Sequence, residues 1–185
     1  MITMKQLLFI SLAVFVAACG SSAPETPATK ATEMAQRIQI MEDSLFNSME
    51  FDARKAQGLV DVYKAYASAF PADTLTPEYL FRAAGVHKSM RQPQQSIALY
   101  DRIIRDYTQW RRIADAFYLK AFTMDSEMNQ KGEAERAYKE VINMFPDHPF
   151  ARDARIMIDN LQLTDDELIM KFKNMQEEQT QQAQQ

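Results

Sequence analysis

A chain of 185 residues with a formal net charge of −4 holds one domain of ordinary size and has no basic excess to steer it toward nucleic acid. Only four glycines are present, and the single cysteine, Cys19, excludes an internal disulfide framework and any thiolate metal cluster. Ala, Met, Leu, Gln, Glu, Lys and Arg are plentiful, so the expected fold class is all-α.

Lys5 is the only charge in residues 1–6, and the 12 residues from Leu7 to Ala18 are apolar apart from Ser11. A spanning helix needs about 20 apolar residues, so this short run ending in small side chains has the layout of an export signal. Val16-Ala17-Ala18-Cys19 resembles the lipobox of bacterial lipoproteins; the competing reading is an ordinary secretory signal with an unrelated cysteine. The resemblance implies that residues 1–18 are a signal peptide and that Cys19 becomes the first mature residue, with a diacylglycerol on its thiol and an acyl chain such as palmitate on its amine. Acyl chains add ~0.8 kcal/mol of membrane affinity per buried CH₂, so this lipid is an anchor and not a cofactor. No cofactor is expected. Gly20 stands where an aspartate would resemble an inner-membrane retention signal. Outer-membrane anchoring facing the periplasm is therefore expected, with the cell surface as the alternative.

Residues 19–30 contain Pro24 and Pro27 and no large apolar side chain, which predicts a solvated tether. Residues 31–175 carry the folded domain, and residues 176–185 a glutamine-rich tail expected to be disordered. Met34, Ile38, Met41 and Leu45 predict either the first helix of a hairpin or a short coiled coil; two heptads favour the hairpin. A repeat follows. Tyr63, Tyr100 and Tyr138 lie 37 and 38 residues apart, and Phe70, Tyr107 and Phe145 repeat at the same intervals, seven residues beyond each tyrosine. Seven residues are two helical turns, so each pair shares one face. Leu80-Phe81, Tyr118-Leu119 and Ile156-Met157 mark a second set of helices at a reading of 38 residues, and Pro77, Pro93, Pro146 and Pro149 fall at predicted helix boundaries. Hairpins this small bury both faces only by stacking, which predicts a short solenoid. Thr164-Asp165-Asp166-Glu167 has the form of a capping box and opens a C-terminal capping helix with Leu168, Phe172 and Met175 on one stripe.

Leu80, Ala83, Ala84, Ser96 and Tyr100 fall where the tetratricopeptide repeat places its large apolar, small and aromatic residues. In the next unit Tyr118, Ala134, Tyr138 and Pro146 fit, while Phe122 stands where a small residue is expected. Phe145-Pro146-Asp147-His148-Pro149-Phe150-Ala151 is similar to the longer repeats of envelope proteins such as the BamD outer-membrane assembly lipoprotein and the Tol-Pal-associated periplasmic repeat proteins. The resemblance implies a groove that holds a protein or peptide of the cell envelope. Its lining would be Phe81, Gly85, Lys88 and Ser89 from one helix and Leu119, Thr123, Ser126 and Glu127 from the next, with Phe81 and Leu119 equally readable as core. Recognition of a C-terminal carboxylate needs lysine and asparagine where Phe81 and Gly85 stand, which argues against that mode.

Reactive chemistry has little support. His87 and His148 are 61 positions apart with no partner at four-residue spacing, so a zinc motif is absent, and both read as core or surface side chains. Neither a phosphate loop nor a G-x-S-x-G elbow is present. Arg102, Arg105, Arg111 and Arg112 interleave with Asp101, Asp106 and Asp115, which predicts a self-paired surface instead of an anion site. The sequence therefore points to a lipid-anchored, non-catalytic envelope adaptor. The rivals are a glycan- or nutrient-binding lipoprotein, which Trp110 clustered with acids on an exposed patch would favour, and an envelope hydrolase, which needs a histidine beside an acid in a cleft.

Overall fold

The computed structural model describes residues 26–182 and folds them into eight α-helices, with no strand among the described residues. They are α1 Pro27–Phe46, α2 Ala53–Ala69, α3 Thr76–Ser89, α4 Pro93–Asp106, α5 Ile113–Ser126, α6 Lys131–Met144, α7 Pro149–Leu161 and α8 Asp165–Gln182. The expected signal segment 1–18, Cys19 and most of the expected tether lie outside the described residues. From α1 to α7 each helix packs on the next, and α5 also touches α7, as in a solenoid of hairpins.

Local chemistry sets the helix starts. Thr26 Oγ1 accepts the Thr29 N–H at 3.2 Å and Pro27 opens α1, so the helix begins inside the stretch 19–30 expected to be tether. A threonine cap followed by proline is a helix-start signal that outweighs the absence of large apolar residues. Asp52 caps α2 through the N–H groups of Arg54 and Lys55, at 2.9 and 3.1 Å. Pro93 and Pro149 are the first residues of α4 and α7, and Pro77 is the second of α3. α1 packs along α2 as the first half of a hairpin, burying Ile38 and Leu45.

Tyr63, Tyr100 and Tyr138 are at most 2% exposed and form the interior of the second helices, as their spacing predicts. Each of these helices ends on the repeated aromatic in one backbone conformation: Phe70 (φ −130°, ψ 60°), Tyr107 (−130°, 48°) and Phe145 (−135°, 55°). Each aromatic donates its N–H to the carbonyl four residues back, at 2.8, 2.9 and 3.0 Å. Each also accepts at its own carbonyl the N–H of Asp73, Trp110 or His148, at 3.0, 2.9 and 3.0 Å. One loop is thus built three times.

The turns inside the hairpins differ in length. Three residues, 90–92, join α3 to α4 and four, 127–130, join α5 to α6; both turn on a left-handed residue, Arg91 (φ 56°) or Asn129 (φ 52°). The extra residue falls after α5. The second helices therefore repeat at 37 and then 38, but α3 and α5 are in register at 37. The 38-residue match of Leu80-Phe81 with Tyr118-Leu119 is corrected by one: Leu80 corresponds to Phe117 and Phe81 to Tyr118. Ala84 corresponds to Ala121, and both are fully buried. The second unit thus has its small residue, and Phe122 is the counterpart of Gly85.

α7 ends the stack. Where α3 and α5 turn Leu80, Ala84, Phe117 and Ala121 toward their partner helices, α7 carries exposed Arg155 and Asp159. A polar outer face is what a terminal repeat needs. The capping box of α8 forms: Thr164 N–H donates to Glu167 Oε2 at 2.8 Å and Glu167 N–H to Thr164 Oγ1 at 3.4 Å. α8 leaves the end of the stack with Ile169 and Phe172 52% and 57% exposed, held by Lys171 Nζ donating to Asn160 Oδ1 at 2.8 Å. It continues through Gln182, past residue 176 where a disordered tail is expected; glutamine and glutamate are good helix formers and extend a helix already nucleated.

Candidate partner-binding face

The first helices of the hairpins form one layer, and charged side chains tie them together. Arg82 on α3 reaches Glu42 on α1 at 2.8 Å and Glu78, one turn away, at 3.1 Å. Arg112, at the start of α5, reaches Glu78 at 3.3 Å and Asp115 at 2.7 Å. The chain Glu42–Arg82–Glu78–Arg112–Asp115 thus runs across three hairpins. The buried Glu42 also accepts a hydrogen bond from the Tyr63 hydroxyl. Burial, then this hydrogen bond, pushes the Tyr63 pKa up, so the tyrosine stays a donor. For Arg82 burial acts downward, but the bonds to Glu42 and Glu78 outweigh it and its pKa is raised.

With the corrected register, α3 and α5 present matching stripes: Glu78, Arg82, Gly85 and Ser89 beside Asp115, Leu119, Phe122 and Ser126. Gly85 is exposed, and a Cβ added there would meet nothing within 4 Å, so the backbone lies open on this face. Lys88 Nζ lies 4.3 Å from the Phe122 ring centre, a cation–π contact between α3 and α5, and among the described residues it makes no ion pair with a carboxylate.

The eight sequence-predicted groove residues separate accordingly. Gly85, Ser89, Leu119 and Ser126 lie on the stripes, and Lys88 closes over Phe122. The Ser89 and Ser126 hydroxyls donate to the carbonyls of Gly85 and Phe122, at 3.2 and 2.8 Å. Glu127 is exposed at the end of α5. Thr123 is fully buried, donating to the Leu119 carbonyl at 2.7 Å, and offers no surface. Phe81 turns into the hairpin against Tyr100 and Trp110, with ring centres 5.7 and 5.3 Å away. The displacement of Thr123 follows from the one-residue register difference, while Phe81 takes the core reading that the sequence also allowed. Sequence reasoning passed over Arg82 and Phe122; the i, i+4 pair Glu78–Arg82 was the available signal for the first.

The other chemistry-bearing residues have structural partners. His87 is 3% exposed with Nδ1 2.6 Å from Gln92 Oε1, and burial lowers its pKa. His148 caps α7, its Nδ1 accepting the Phe150 N–H at 3.2 Å. Arg102 and Arg105 pair with Asp106, Arg112 with Asp115, and Asp101 with Lys120, as the interleaved charges predict.

Stacked helical hairpins with a continuous first-helix face define a repeat scaffold of the tetratricopeptide type. A family model described as tetratricopeptide repeat matches residues 115–148, which run from α5 through α6 to the loop entering α7. The chain is similar to that family there, and the loops that follow α2 and α4, outside the match, repeat the hydrogen bonds of the loop that follows α6. Repeats of this kind are protein-interaction scaffolds. No curated protein matches the chain.

Proposed function

We propose that the chain is a lipid-anchored envelope adaptor that holds a protein segment along the face formed by α1, α3, α5 and α7. The lipobox-like Val16-Ala17-Ala18-Cys19 supports an anchor on Cys19 after removal of residues 1–18, with the domain held at the outer membrane on its periplasmic side. The observation that carries the binding role is the open backbone at Gly85, at the position that Phe122 holds on α5, together with Lys88 over the Phe122 ring and, among the described residues, in no ion pair with a carboxylate. An aromatic ring with a lysine over it and no carboxylate on that lysine offers a partner segment both apolar contact and charge. Catalysis plays no part in this reading.

Site-specific photocrosslinking in intact envelopes tests it. Probes at Ser89 and Ser126 are expected to capture a protein that probes at Arg136 and Lys139 on α6 miss. Equal capture from α6, or capture only from α8, overturns the assignment of the face.

A further inference from the structure

The end of the stack that carries the loops between hairpins holds a second feature, a cleft of about 600 Å³ between the α2–α3 and α4–α5 loops. Asp73 and Thr74 line one side, and Asp106, Thr108, Gln109 and Trp110 the other. Its volume lies within the ~300–1,000 Å³ of small-molecule sites.

Trp110 is the only tryptophan of the chain, and the loop does not require it. The equivalent loops make the same backbone hydrogen bonds with Asp73 and His148 at that position. Its ring is nonetheless held in place, 5.3 Å from the Phe81 ring and 5.6 Å from the Arg112 guanidinium. The aromatic is therefore oriented before any ligand arrives. Asp73 Oδ1 accepts the Leu75 N–H at 2.8 Å, and Asp106 accepts from Arg105 at 2.8 and 3.1 Å. A carboxylate has about four lone-pair sites, so both keep capacity for further donors. Thr74, Thr108 and Gln109 are exposed and each offers donors and acceptors. Arg111, also on the wall, and Arg105, paired with Asp106, balance the two carboxylates, so the cleft has no net charge.

A sugar ring presents an apolar C–H face on one side and hydroxyl donors around its edge. An aromatic plane flanked by carboxylates and an amide is complementary to both. We propose that this cleft binds a neutral saccharide, with Trp110 as the stacking platform and Asp73, Asp106 and Gln109 as hydrogen-bond partners. A charge-balanced lining gives an anionic sugar no advantage over a neutral one.

Because Trp110 is the single tryptophan, its emission reports on this site alone. The full chain is titrated with maltotetraose, cellotetraose and chitotetraose to about 10 mM, well beyond the millimolar affinity expected of an open cleft. At least one is expected to shift the emission saturably, with affinity falling at least ~10-fold in Gln109→Ala and in Asp73→Asn, which keeps the Leu75 acceptor. Both variants are expected to melt as the parent does, and Lys88→Glu on the separate first-helix face is expected to leave the titration unchanged. Absence of saturation with all three sugars overturns the proposal. So does a signal indifferent to Gln109→Ala and Asp73→Asn, or saturation by a proline-rich peptide when the sugars fail.

Discussion

Glu42 of α1 accepts a hydrogen bond from Arg82 of α3 at 2.8 Å across 40 residues of sequence, and this pair is the first link between consecutive hairpins. Glu42 is 9% exposed, so Arg82→Ala leaves a buried carboxylate with only the Tyr63 hydroxyl. The expected cost is roughly 1.5–3 kcal/mol, the range for a hydrogen bond to a charged group. Glu42→Gln keeps an acceptor for Tyr63 and should cost less. Urea unfolding of the two variants checks the order; equal losses would mean that leaving the carboxylate buried without its arginine costs nothing beyond the ion pair that both variants break.

Tyr138 is fully buried, with Tyr118 5.8 Å away, ring centre to ring centre. Tyr138→Ala should lower stability by about 3–5 kcal/mol, a large part of the 5–15 kcal/mol of an ordinary domain. Met144→Ala on the same helix, 62% exposed, should stay within about 0.5 kcal/mol. Denaturant midpoints of the two variants separate interior from surface on α6.

His87 gives the fold an acid-sensitive point. Burial depresses its pKa against a smaller opposing effect from the Gln92 hydrogen bond, while Lys64 lowers it further and Asp61 raises it. Below its ordinary value near 6.5 the unfolded chain takes up a proton that the folded chain refuses. Its contribution to stability is therefore complete above about pH 6.5 and is lost as pH falls toward the folded pKa, at up to ~1.4 kcal/mol per pH unit. Met124 is the counterpart of His87 in α5, so His87→Met is the conservative exchange. Comparing urea midpoints at neutral and mildly acidic pH should show the parent losing stability and the variant losing less.

The polar outer face of α7 makes α8 dispensable for the stack. Truncation after Thr164 should change stability by no more than about 0.5 kcal/mol, because Ile169, Met170, Phe172 and Met175 are already in solvent and only Leu168 is half-buried. Thermal melting checks this; a large fall would mean that α8 folds back on the repeats in solution.

Cys19→Ala is expected to give an unprocessed or soluble product where the parent is retained in membranes. Mass spectrometry of the mature N-terminus and membrane fractionation check it, and normal cleavage with unchanged retention would refute lipidation.

Much of the fold is legible in the sequence because the repeat is written in large, buried side chains. Tyr63, Tyr100 and Tyr138, the closing aromatics and the helix-opening prolines all stand where their spacing predicts. The register of the first helices is not, because the extra residue sits among Glu127, Met128, Asn129 and Gln130, a turn with no hydrophobic period to betray it. That one residue put Thr123 in the place of Phe122 among the expected surface residues. The Glu42–Arg82 link was equally hidden, since charge patterns show neighbours along one helix and not partners on another.

The exposed charges of α7 also fix the number of hairpins. Another hairpin placed between α6 and α7 would meet apolar, small-residue surfaces on the side where α5 and α6 already pack, so duplication there enlarges the array. The same unit added after α7 would have to bury Arg155 and Asp159 without partners, a cost of several kcal/mol per charge. A few side chains on one helix thus leave this stack open to an added hairpin inside the array and closed to one beyond α7.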